Sequence, residues 1–195
     1  MNALDAPFAS IRNAQPNDFK QAAPLIIQAM EDLACFFTRS EDARQAIPLF
    51  EHFFQQKRNQ YSYENSLIYQ VEDQIAGTLT AYDGAMLSDL RAPFLQYIKD
   101  KFQINNFHPE DETQAGEFYI DTIAVSPKFQ GMGIGSKLIG ACVEYAKQLD
   151  HKKVGLLVDF ENPKAKRLYT RLGFKTIKVK EFIGSKYEHM QFTLD

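Results

Sequence analysis

Three glycines spaced two apart, Gly131, Gly133 and Gly135, follow an apolar run from Phe118 to Val125 and open a helix-patterned segment, Ser136 to Leu149. Glycine admits positive φ and lets bare backbone amides approach a ligand. The first amides of a helix have no partner within it, and the helix dipole adds partial positive charge there. The loop Gly131, Met132, Gly133, Ile134, Gly135, Ser136 therefore reads as an anion cradle suited to a phosphate. The plainer alternative is a tight strand-to-helix connection. A Walker loop needs Gly-Lys-Ser/Thr, whereas Gly135 is followed by Ser136-Lys137, the reverse order. A dinucleotide fingerprint starts its glycines at the strand end and needs a third where Ser136 stands, although Asp159 keeps a tolerable distance for a ribose contact.

Further chemistry lies close by. Alternation along a strand puts Glu117, Tyr119 and Asp121 on one face, where a carboxylate can take a proton from an ammonium or serve only as structure. Tyr169, beside Leu168 and ahead of Phe174, reads either as a packing ring or as a phenol able to donate a proton to a leaving group. Cys142 shares a helical stripe with Leu138, Tyr145 and Leu149, and Cys35 lies in another apolar helical segment, so both read as small hydrophobes. His52, His108, His151 and His189 are scattered singly, and no Cys/His spacing suggests a metal site.

Two motifs together point to a family. Gln130-x-x-Gly133-x-Gly135, after Ile123-Ala124-Val125-x-Pro127, resembles the pyrophosphate-binding segment of the GNAT superfamily of N-acetyltransferases. Asn162-x-x-Ala165-x-x-Leu168-Tyr169-x-x-x-Gly173-Phe174 resembles the second signature of that superfamily. The likeness is specific from about Glu117 to Phe174. It implies acetyl-CoA as co-substrate, with its pyrophosphate on the amides of the Gln130–Ser136 segment. It further implies a pantetheine arm between the strands ending at Val125 and Val158, bonded to the backbone of Ile123 and Val125. The Val125 amide then polarises the thioester carbonyl, Asn162 bonds the pantetheine amide as well as capping a helix, and Tyr169 serves the departing thiolate. Family members with an assigned base carry Glu where this chain has Tyr119, which leaves Glu117 or Asp121 to act through a water.

The activity so implied is direct acetyl transfer to a primary amine of a small molecule or peptide. The alternative is a non-catalytic acyl-CoA-binding or interaction module of the same fold. Glu110-Asp111-Glu112 and Glu117 hint at a cationic acceptor.

The elements that must hold these residues fit one N-acetyltransferase domain, residues 1–195, with a helical insert at about 83–116. The fold expected from the resemblance is α/β: a mixed, mostly antiparallel central sheet with a splayed parallel strand pair, flanked by helices. At 195 residues and 45% hydrophobic content the chain can bury a sizeable core. A formal charge of −3 gives no reason to expect nucleic acid or an anionic membrane as partner. No apolar run reaches the length of a membrane span and the start carries no leader pattern, so a cytoplasmic protein is expected. The apolar strands near the C-terminus leave room for a homodimer.

In chain order, Ser10-Ile11-Arg12 opens a strand, and a helix runs from Phe19 to Ala34, with Pro24 in its first turns or at a kink. A second helix after Ser40 carries an aromatic stripe through Phe50, Phe53 and Phe54, as core or as a lid over the acceptor. A hairpin pairs Ser66–Val71 with Ile75–Tyr82. The insert holds a helix over Pro93–Phe102 and is expected to shape the acceptor pocket. Val154–Val158 reads as a buried parallel strand. Asn162-Pro163 starts a helix that ends at a left-handed Gly173. A last hairpin pairs Lys175–Ile183 with Tyr187–Leu194.

Overall fold

The computed structural model describes residues 8–195. Seven strands form one sheet: β1 (Ala9–Asn13), β2 (Ser66–Val71), β3 (Gln74–Asp83), β4 (Phe118–Val125), β5 (Lys153–Asp159), β6 (Lys175–Phe182) and β7 (Ser185–Thr193). Their spatial order is β1-β2-β3-β4-β5-β7-β6. Every neighbouring pair is antiparallel except β4 with β5, the strands joined through the glycine loop and its helix. The expected mixed, mostly antiparallel sheet with one parallel pair is what the chain forms.

Helices cover both faces. On one face α5 (Ile134–Gln148) buries Ile134, Leu138, Ile139, Cys142 and Ala146 against Leu79, Phe118 and Ile120. The stripe is narrower than its spacing suggests, because Tyr145 and Leu149 sit at its margin and stay 42% and 49% exposed. On the other face α1 (Phe19–Gln28), α2 (Glu31–Thr38), α3 (Ile47–Phe54) and α4 (Leu87–Phe102) enclose an aromatic core. Phe94 of α4 lies 5.0–5.9 Å, ring to ring, from Phe37, Phe50 and Phe53. The aromatic stripe of α3 is thus core, and α4 is the helix that closes it.

The single helix read over Phe19–Ala34 is two helices. Met30 leaves the helical region, with φ −148° and ψ 47°, and Glu31 and Asp32 begin a new first turn, where acidic side chains meet the positive end of the dipole. Pro24 lies inside α1. The helix in the insert starts at Leu87, six residues before Pro93, which it carries within its length.

A second departure bears directly on the site. Thr80 pairs with Thr122 but Ala81 pairs with Ile120, so Asp121 is an extra residue in β4, a β-bulge. Strict alternation would put Ile123 and Val125 on the face of Tyr119. The bulge shifts the phase instead, and both pack toward α5 with Ile120 while Tyr119 and Thr122 face the other helices.

Candidate active site

β4 and β5 pair only at Phe118–Val154, Tyr119–Gly155 and Ile120–Leu156. Past the bulge they separate. The Ser126 amide donates to Ala76 O at 2.9 Å, so by antiparallel alternation the backbone groups of Ile123 and Val125 point away from β3 and into the gap. Two side-chain amides already meet that edge: Gln28 Nε2 and Gln130 Nε2 donate to Val125 O at 3.1 and 3.2 Å. Gln130 thereby ties the loop that follows to the end of the strand.

The loop itself is open. Gly131 and Gly133 have φ of +79° and +74°, and a Cβ built on either would meet no atom within 4 Å. Gly133 caps α5, whose first internal bond is the Lys137 amide to Gly133 O at 3.1 Å. The amides of Ile134, Gly135 and Ser136 therefore have no partner inside the helix. Gly135 lies where a Cβ would touch Val125 and Leu168 at 3.9 and 3.8 Å, packing the helix start between β4 and α6 (Pro163–Arg171). Met132 is 58% exposed at the rim. Backbone donors, positive φ and open space above fit a pyrophosphate, and the splayed strands fit an extended amide-bearing arm.

A cavity of about 680 Å³ fills the gap between β4 and β5 and runs to α2 and β7. Tyr169 lines it from α6. The residue is 8% exposed and its hydroxyl has no hydrogen-bond partner among the described residues; burial pushes the phenol up to about 12. It holds its proton at any ordinary pH. Asn162 caps α6, its Oδ1 accepting from the Ala165 amide at 3.1 Å, which leaves its Nδ2 free to donate.

The opposite wall carries two carboxylates that sequence spacing did not pair. Gln60 Nε2 donates to Glu112 Oε1 at 2.8 Å and to Asp121 Oδ2 at 3.2 Å. The Tyr82 hydroxyl approaches Glu112 at 3.4 Å. Burial pushes the Glu112 carboxyl up to about 7, against the pull of Arg91 and the bonds from Gln60 and Tyr82. The Asp121 carboxyl is also raised well above its ordinary value, first by burial and then by the charge of Glu112. Such a pair holds a proton near neutrality that either carboxylate alone in water would lose.

This has a consequence for stability. A glutamate raised from 4.5 to about 7 on folding stabilises the native state fully below 4.5, and that stability is lost as pH rises through 7. At 1.36 kcal/mol per pKa unit the effect is about 3 kcal/mol. The melting midpoint is expected to fall between pH of about 5 and about 8, and the Glu112→Gln variant is expected to show a flatter profile over that window. A variant profile as steep as that of the wild type would rule out Glu112 as the source.

Glu117, read from the sequence as a candidate proton acceptor, is not brought to the cavity. It is wholly buried over Gly155, accepting from Thr113 Oγ1 at 2.7 Å, His189 Nε2 at 2.9 Å and Gln191 Nε2 at 2.6 Å. Burial alone would raise its carboxyl; the bonds from His189, Thr113 and Gln191 together hold it below the usual glutamate value. Its donors come from β7 and from the loop before β4, contacts that no local periodicity encodes. Among the described residues no group of three or more His, Cys, Asp or Glu side chains is arranged to hold a metal ion, and no helix is long and apolar enough to cross a membrane.

Known proteins resemble this chain in sequence and in fold. Residues 27–174 match the model of the Acetyltransferase (GNAT) family. A crystal structure of an acetyltransferase, 31% identical, superposes with a TM-score of 0.80 over 95% of this chain and 100% of that one. An N-acetyltransferase from Staphylococcus aureus Mu50, 26% identical, gives 0.83 over 94% and 100%. An uncharacterized N-acetyltransferase of Methanocaldococcus jannaschii is 37% identical over 76 residues, which is 39% of this chain and 31% of that relative. The chain thus spans about a third of the length of this curated relative. With most of its length inside the family model and its sheet parted at the glycine loop, the chain belongs to the acetyltransferase (GNAT) family.

Proposed function

We propose that the protein transfers the acetyl group of acetyl-CoA directly to a primary amine. The observation that carries this reading is the joining of three features in one cavity: the parted β4–β5 edge, the unpartnered Tyr169 hydroxyl, and the pair of buried Glu112 and half-buried Asp121. Acetyl-CoA supplies an activated acyl thioester, and the amides of Gly131–Ser136 are the donors that would hold its pyrophosphate. Ile123 and Val125 offer gap-facing backbone groups to the arm, Asn162 offers its Nδ2, and the Val125 amide is the group suited to polarise the carbonyl.

An ammonium must lose a proton before it attacks. Asp121, with Glu112 behind it, takes that proton: a carboxylate whose affinity for protons is raised well above the ordinary value is a better acceptor than an unperturbed one. Tyr169 donates from the other wall to the departing sulfur. The α4 insert contributes through Arg91, which is paired with Asp111 at 2.6 Å and fixes the turn that presents Glu112.

The test is release of free thiol from acetyl-CoA, followed with and without a primary amine. Amine-dependent release is expected, with kcat/KM falling about tenfold per pH unit below about 7 as the acid pair takes up its proton. Acetyl-CoA binding without amine-dependent release from any amine would overturn the reading.

A further inference from the structure

We infer that the acceptor is a small linear amine with at least two ammonium groups, one meeting the Glu112–Asp121 wall and the second held by carboxylates at the cavity mouth. The inference rests on the acetyl-transfer reading only in taking this cavity as the acceptor site.

Charge is the first ground. Among the described residues six carboxylates line the cavity, Glu31, Asp32, Glu112, Asp121, Asp159 and Glu161, and no lysine or arginine does. None of the six is in a salt bridge among the described residues, although seven such bridges occur elsewhere in the fold. The cations whose charge reaches Glu112 are otherwise engaged: Arg91 bonds Asp111 and the Glu110 carbonyl, and Lys180 bonds the carbonyls of Asp111 and Glu112. Like charges facing one cleft repel one another in the empty protein and are relieved by a cationic occupant.

Placement is the second ground. Glu31 and Asp32 stand exposed in the first turn of α2, while Asp159 ends β5 and the exposed Glu161 follows it, so these four border the cavity where it meets solvent. The acid pair and the unpartnered Tyr169 hydroxyl, in a side chain more than nine-tenths buried, lie within. One ammonium cannot meet the inner pair and the exposed rim at once. A chain with a charge at each end can. The volume of about 680 Å³ must also admit the acyl-bearing arm, which favours a slender aliphatic occupant over a folded peptide.

The experiment is calorimetric titration of the CoA-loaded protein with linear diamines from diaminopropane to diaminohexane, each against the monoamine of equal chain length. At least one diamine is expected to bind about tenfold or more tightly than its monoamine, with the advantage shrinking as salt is raised. In the E31Q/D32N double variant the ratio is expected to collapse toward one. The salt dependence in the wild type decides the matter if that variant does not fold. Equal affinities for diamine and monoamine across the series would overturn the inference, whatever the turnover. Diamine-selective binding without thiol release would uphold it and overturn the acetyl-transfer reading instead.

Discussion

The Tyr169→Phe enzyme is expected to lose about a hundredfold or more in kcat while keeping its affinity for acetyl-CoA. The substitution removes one oxygen and leaves the ring. That ring is what packs on Phe174, with centroids 6.1 Å apart, so the fold should not change. The oxygen has no hydrogen-bond partner among the described residues and its side chain lines the cavity, so its loss leaves no stranded donor or acceptor there. Only a group that acts during the reaction is missed. A positioned general acid contributes about 10²–10⁴ in rate, and a hundredfold corresponds to about 2.7 kcal/mol of barrier. The phenol suits this task because burial keeps it protonated, up to about 12. The measurements are steady-state thiol release and the acetyl-CoA-dependent rise in melting midpoint. An unchanged kcat would make Tyr169 a packing residue; a lost midpoint shift would make it a binding one.

The second large effect is on folding, at Glu117. Truncation to alanine strands the donors of Thr113, His189 and Gln191 in a buried site and opens a void over Gly155. Removing one partner from a buried charged network costs about 3–5 kcal/mol. Gly155→Ala should reach the same network from the other side, since an added Cβ would sit 2.3 Å from Glu117 Oε2, inside any permitted contact. Both variants are expected to unfold at markedly lower denaturant, and Glu117→Gln, which keeps the shape, should lose less. If Glu117→Ala unfolded at the wild-type midpoint yet lost turnover, the carboxylate would belong to the chemistry and the placement given above would be wrong. Its lowered pKa sets the sign of its pH effect: that contribution is present above about 4.5 and disappears as pH falls through the folded value.

The two Glu117 donors on β7 are 72 and 74 residues away along the chain, which shows where sequence reading stops. Local rules sufficed for the glycine loop, because positive φ at Gly131 and Gly133 is a decision of a few adjacent residues, although the helix starts at Ile134, two residues ahead of the Ser136 that its pattern gave. They sufficed for the Asn162 cap and the left-handed Gly173 for the same reason. The break at Met30 was not visible, since no glycine or proline marks it and the following turn is read as easily as mid-helix. The bulge at Asp121 was hidden more deeply. It is a property of how β3 and β4 register, and a run of alternating residues carries no sign of the extra one. Gln60 and Glu112 came together from separate loops, 52 positions apart, so neither belonged to any motif. An acidic run before Glu117 was the only trace of that wall.

The three residue pairs that join β4 to β5 also set the mechanics of the molecule. On one side of them lies a plate of four strands, β1 to β4, stiffened by antiparallel ladders; on the other lies a plate of three, β5, β7 and β6. Three pairs at one corner are all the backbone ladder that spans the two plates among the described residues, so beyond them the width of the gap is set by helix packing, above all by α5, which touches strands of both plates. That gap is lined by Tyr169, on the helix that follows β5, and by Asp121, on the plate of four.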